Sequence, residues 1–208
     1  MITMQNNPVI CDPGQPNAIW LAQTRDTLLD TDIYSRFLYS CTSTFYHLPF
    51  YKDYKCSLMR MGFNRDAHQA GITSDMAELD LHHHFPTLKQ ASIMIIEHTL
   101  NIKGCVTSME VVDSLVQAHR NNWISVIFLS KTQHQVHHAN PADFISLKQC
   151  VGDGFEFINR YIDGMTLDIA YNMLLQLKQE EQHGKSFTPE MVKGRDDILD
   201  WSNRANTI

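Results

Sequence analysis

The chain has 208 residues, 43% hydrophobic and 19% charged, a balance that allows one domain with a real core and excludes wholesale disorder. Its formal net charge of −6 counts against tight non-specific binding of nucleic acid, because phosphate contacts need a basic surface. The five cysteines are odd in number and form no C-x-x-C pair, which excludes a disulfide framework or a cysteine-built zinc knuckle and predicts reduced thiols.

Residues 1–17 hold three prolines and three asparagines and read as an irregular arm. Over 18–48, Ile19, Leu21, Leu28, Leu29, Ile33, Phe37 and Leu38 recur at helical spacing, until His47-Leu48-Pro49 breaks the pattern. Residues 54–85 predict two short strands around a long loop. Thr87-Leu88-Lys89-Gln90 has the spacing of a capping box and predicts a helix to about Asn101, with Gly104 beyond it. Thr107-Ser108-Met109-Glu110 repeats the signal for a helix to about Asn121. The β-branched run from Trp123 to Leu129 predicts a strand.

Asn140-Pro141 marks a helix start. Further helices are expected over 143–163, broken near Gly152 and Gly154, and over 166–182, stopped at Gly184. Thr188-Pro189-Glu190 begins a last short one. The stripe Leu167, Ile169, Ala170, Met173, Leu174 and Leu177 suits a core face or a partner-helix face. The fold class expected is α+β, mostly helical with a few short strands. The longest apolar run, Ile93–Ile96, is far too short to span a bilayer, and the N-terminus lacks a secretory pattern, so a cytoplasmic setting without membrane contact is expected.

Six of the eleven histidines fall in two stretches. In Leu79-Asp80-Leu81-His82-His83-His84-Phe85-Pro86, strand alternation puts Leu79, Leu81 and His83 on one face and Asp80 and His82 on the other. In the second stretch, His134 and His138 are four apart and share a helix face, a spacing that presents two nitrogens to one metal ion. His137 lies one position off that pair and reads as its neighbour. His98 and His119 sit in apolar-periodic helices and read as packing or surface histidines. A cation held by two or three imidazoles, beside a neutral imidazole able to take a proton from water, has the parts needed for phosphodiester hydrolysis.

On these residues the chain resembles the HNH nuclease family. Asp80-Leu81-His82-His83-His84-Phe85-Pro86 is similar to its first motif, and the strand Val126–Leu129 followed by His134-x-x-x-His138 is similar to its last. The resemblance implies a small ββα-metal finger over 54–140 with a helical insertion, between an N-terminal arm and helix over 1–53 and a helical region over 141–208. It implies His83 as general base and His82, His134 and His138 as ligands of a divalent cation, Mg²⁺ first, with Zn²⁺, Ni²⁺ or Mn²⁺ as alternatives. Asn121 or Asn122, just before the second strand, would take the place of the family's loop-fixing asparagine, with Asn122 preferred. DNA would be the substrate, held by Lys55, Arg60 and Lys131, and a phage or mobile-element setting suits such a core. The expected activity is that of a metal-dependent endonuclease. The alternative is a degenerate HNH-like protein, a metal-stapled interaction or assembly component whose protein partner meets the C-terminal helices.

Overall fold

The computed structural model describes residues 18–20, 32–69, 71–140 and 143–183. The expected arm over 1–17, the stop at Gly184 and the last short helix lie outside the described residues, as do Pro141 and Ala142.

Strand β1 (Ala18–Trp20) is followed by helices α1 (Asp32–His47) and α2 (Pro49–Arg60). Then come β2 (Leu79–Phe85), α3 (Leu88–Lys103), β3 (Cys105–Thr107), α4 (Ser108–Arg120), β4 (Ser125–Ser130) and α5 (Lys131–Ala139). After short 3-10 turns at Leu147–Gln149 and Ile162–Gly164, which flank α6 (Gly154–Arg160), α7 (Leu167–His183) completes the described fold. The class is α+β and mostly helical, as expected, with two small antiparallel sheets among the described residues, β1–β3 and β2–β4.

Local chemistry explains the best-placed elements. Both capping boxes form: Thr87 with Gln90 opens α3, and Thr107 with Glu110 opens α4. Gly104 closes α3 in the left-handed conformation (φ 75°) that glycine adopts without a Cβ penalty. Other elements differ from expectation for identifiable reasons. The helix read across 18–48 is split, because Ala18–Trp20 pairs with Cys105–Thr107, a long-range partner that periodicity does not register. Pro49 opens α2 at its first turn, so residues 54–60 are helical rather than extended, and the expected boundary between residues 53 and 54 falls inside that helix. Residues 143–146 are not helical. Ser146 caps the short 3-10 turn, and Asp153 caps a separate α6. Cys41, Cys56 and Cys150 are free, whereas Cys105 is disulfide-bonded, which corrects the expectation of five reduced thiols.

The β2–β4 pair positions the histidines. Its register runs from Leu79↔Ser130 through His82↔Ile127 and His83↔Val126 to Phe85↔Ser125, with an irregularity between His83 and Phe85. Directly opposed residues point to the same side of an antiparallel pair. Leu81, His83, Val126 and Phe128 therefore face the main core, which α1, α3, α4 and α6 complete. Asp80, His82, Ile127 and Leu129 face the other side, where Ile145 and Cys150 form a smaller apolar cluster with the two isoleucine and leucine side chains of β4.

Candidate functional site

Alternation along β2 sends its three histidines into two unlike environments. His83 enters the core and is 4% exposed. Its Nε2 lies 2.9 Å from Nε2 of His119 on α4, and its Nδ1 lies 3.5 Å from the Tyr46 hydroxyl. His119, fully buried, places Nδ1 2.7 Å from the Leu115 carbonyl. Rings of Phe45, Tyr51 and Tyr54 surround the pair. Burial is the main cause that drives both imidazoles toward the neutral form: His119 is lowered to about 4, and His83 is lowered well below its ordinary 6.5, with the neighbouring His119 adding to the effect.

On the opposite face, His82 meets α5. Its Nδ1 is 3.0 Å from Nε2 of His134, and Nε2 of His138 is 3.0 Å from that same His134 atom. Asp80 stands behind His134, with Oδ2 3.2 Å from its Nδ1. His82, His134 and His138 each bring a ring nitrogen within 4.8 Å of the others. So the three residues expected to hold a metal do converge, although the chain separates them by some fifty residues. Burial first, then the surrounding imidazoles, lowers His82 to about 2 and also lowers His138.

The group is larger than the sequence indicated. His84 and His137 form a second set with His82, and His68, His137 and Asp143 form a third. His84 Nε2 donates to the Ile145 carbonyl at 3.0 Å, and His137 Nδ1 lies 3.1 Å from Asp143 Oδ2. Burial lowers His84 to about 4. The density of histidine in the two stretches was a usable signal for His84 and His137. His68 and Asp143 had none, because each is isolated in sequence and only the loop packing against β4 brings it there. Beside the imidazoles lies an open cavity of about 290 Å³, reached by Asn172 and Gln176 of α7.

The remaining candidates lie elsewhere. Lys55 and Arg60 are on α2, where Arg60 Nε donates to the Cys56 carbonyl. Lys131, the first residue of α5, stands 3.9 Å from Glu78 on an exposed rim. Asn122 takes a left-handed backbone (φ 53°) in the turn between α4 and β4, and its carbonyl accepts from the Asp153 amide at 2.7 Å. That turn-forming position is the structural role asparagine tolerates well.

This geometry does not support the expected division of labour in hydrolysis. A general base must reach water held near the cation, and His83 points away from the other imidazoles into an aromatic pocket. The family comparison overturns the resemblance outright. The family described as Bacteriophage G278-like virion protein matches residues 47–204, and no HNH family does. No curated protein and no solved structure matches the chain. β2, β4 and α5 do pack together, but α3, β3 and α4 separate the two strands in the chain, and an HNH finger is not confirmed. The assignments of HNH membership, of endonuclease activity and of a degenerate HNH-like protein are all corrected. The phage setting survives, and so, in coarse form, does the expectation of a protein partner. With three-quarters of its length under the match, the chain belongs to the bacteriophage G278-like virion protein family.

Proposed function

We propose that this chain is a non-catalytic structural component of the phage particle, working through contacts with other virion proteins. The family match over residues 47–204 carries this reading. The burial of His83 supports it, since it removes the one group expected to perform catalysis.

The C-terminal helices supply a candidate contact face. On α7, Leu167 is 89% exposed, and Tyr171 and Leu174 are each 64% exposed. They follow at intervals of four and three residues and so share one stripe, while Ile169 and Met173 of the same helix are buried in the core. A helix apolar on both sides suits a protein that is covered by a neighbour in its working state. Among the described residues no helix is long and apolar enough to cross a membrane. The partner is another virion protein, met after synthesis in the host cytoplasm.

Incorporation into particles tests the reading. A tagged chain supplied during infection should band with purified particles on a density gradient. A variant carrying Leu167→Glu and Leu174→Glu should keep its circular dichroism spectrum and remain at the top of the gradient. Absence of the unaltered chain from purified particles would refute the structural role. Normal incorporation of the folded double variant would refute the α7 contact.

A further inference from the structure

Helix α5 has no buried residue, yet it is held against β2 and β4. The positions it turns inward are occupied by Gln133, His134 and His137, where a helix of this kind ordinarily places apolar side chains, and the exposed His138 lies at their edge. Besides the Ser130 cap and the Gln133–Asp143 bond, its attachment is made of imidazoles.

His134 is the key ring. Its Nδ1–H donates to Asp80 Oδ2 at 3.2 Å, which leaves Nε2 with a single in-plane lone pair. Two other ring nitrogens, His82 Nδ1 and His138 Nε2, each lie 3.0 Å from that atom. One lone pair accepts one N–H well. If His134 were instead protonated at Nε2, that single N–H would serve one partner. Hydrogen bonding in either form accounts for one of the two contacts, and a shared cation accounts for both, because each ring then directs a lone pair at the same point. Nitrogens about 2.0–2.1 Å from one ion sit about 2.8–3.0 Å apart at octahedral angles and about 3.3–3.4 Å apart at tetrahedral ones. Asp80 behind His134 is the carboxylate–imidazole arrangement that fixes the tautomer and orientation of a ligating histidine.

We propose that His82 Nδ1, His134 Nε2 and His138 Nε2 bind one divalent transition-metal ion, and that this ion fastens α5 to β2. Three neutral nitrogen donors without a carboxylate among them suit Zn²⁺, Co²⁺, Ni²⁺ or Cu²⁺ and not Mg²⁺, which prefers oxygen donors. The overlapping set of His82, His84 and His137 shares His82. A neutral ring lends its one lone pair to one ion, so the two sets do not fill together. His84 and His137 are held by Ile145 and Asp143 as flanking groups. Because His138 is exposed, the ion enters from solvent and keeps an open position toward it.

The test uses the full-length chain with any affinity tag removed, stripped with EDTA and dialysed, then titrated with Zn²⁺ by calorimetry and with Co²⁺ by visible absorption. One ion per chain should bind, Mg²⁺ should not compete, and the melting temperature should rise on Zn²⁺ addition. Asp80→Asn should weaken Zn²⁺ about tenfold to a hundredfold, and His134→Ala should weaken it further. His138→Ala should do likewise, and its exposed side chain makes loss of folding no explanation. His137→Ala should bind within about twofold of the unaltered chain, as a flanking group rather than a ligand would. Absence of Zn²⁺ and Co²⁺ binding would overturn the proposal. So would a site abolished by His84→Ala and His137→Ala while His138→Ala leaves it intact. Neither result depends on particle incorporation, so this proposal and the structural role fail separately.

Discussion

Nε2 of His83 and Nε2 of His119 face each other at 2.9 Å inside the core, and the surrounding bonds fix which of them holds the proton. The Leu115 carbonyl can only accept, so His119 carries its hydrogen on Nδ1 and offers Nε2 as an acceptor. His83 must then donate from Nε2 and accept at Nδ1 from the Tyr46 hydroxyl. The chain of donors runs Tyr46, His83, His119, Leu115, with both rings neutral. A histidine expected to begin a chemical step is instead one link in a structural relay.

The relay predicts how stability varies with pH. His119 is lowered from 6.5 to about 4 in the fold, chiefly by burial, so the unfolded chain binds more protons between those values. Stability is therefore full above about pH 6.5 and falls as pH drops toward 4, by about 3 kcal/mol from this residue at order of magnitude. His119→Gln keeps an acceptor for His83 and removes the titration. It should reduce the slope between pH 6.5 and 4 in urea unfolding, leaving the share carried by His82, His83 and His84, which burial also lowers. An unaltered slope would show that the histidine stays solvated.

Hydrolysis is a separate matter. Supercoiled plasmid incubated with the purified chain and Mg²⁺, Mn²⁺, Ni²⁺ or Zn²⁺ should remain intact at the level of a buffer control. His83→Ala should leave that result unchanged and lower the melting temperature, since it empties a buried aromatic pocket and leaves the His119 acceptor unpaired. Metal-dependent nicking abolished by His83→Ala would restore His83 as a general base.

Asp66 is fully buried. Its Oδ1 accepts from the amides of His68 and Gln69, at 2.8 and 2.9 Å, and its Oδ2 accepts from Ser130 at 2.6 Å. Ser130 is the N-cap of α5, so this carboxylate fixes the start of the helix that carries His134. Asp66→Asn sets an amide N–H against one of those backbone donors and should cost about 2–3 kcal/mol, read by chemical denaturation. A change below about 0.5 kcal/mol, the usual range for a neutral surface substitution, would mean the carboxylate is dispensable.

Gly154 opens α6 with its α-carbon pressed on β2. A Cβ there would lie 2.1 Å from the Phe85 carbonyl oxygen, and backbone cannot yield as a flexible side chain can. Gly154→Ala should cost about 3 kcal/mol or more through displaced packing. Gly71→Ala meets nothing within 4 Å and should change stability by less than about 0.5 kcal/mol. Equal melting temperatures for the two variants would disprove the close contact.

Sequence by itself determined the features whose causes are local. The two capping boxes announce α3 and α4 because each is satisfied within four residues, and β4 is legible as an apolar β-branched run. Alternation in Leu79–His83 already separated His83 from His82, and the helical spacing of His134 and His138 already paired them. What such patterns do not carry is the identity of the partner across space. Only the tertiary structure set His119 against His83, which turned an expected base into a buried link, and only the β2–β4 register set His82 beside His134. Asp66, His68 and Asp143 stayed invisible for the same reason: their meaning lies in contacts with residues distant in the chain, for which one sequence holds no periodic trace. The HNH resemblance failed at that boundary too. Short motifs record which residue types are present, whereas chemistry depends on which of them reach the same space.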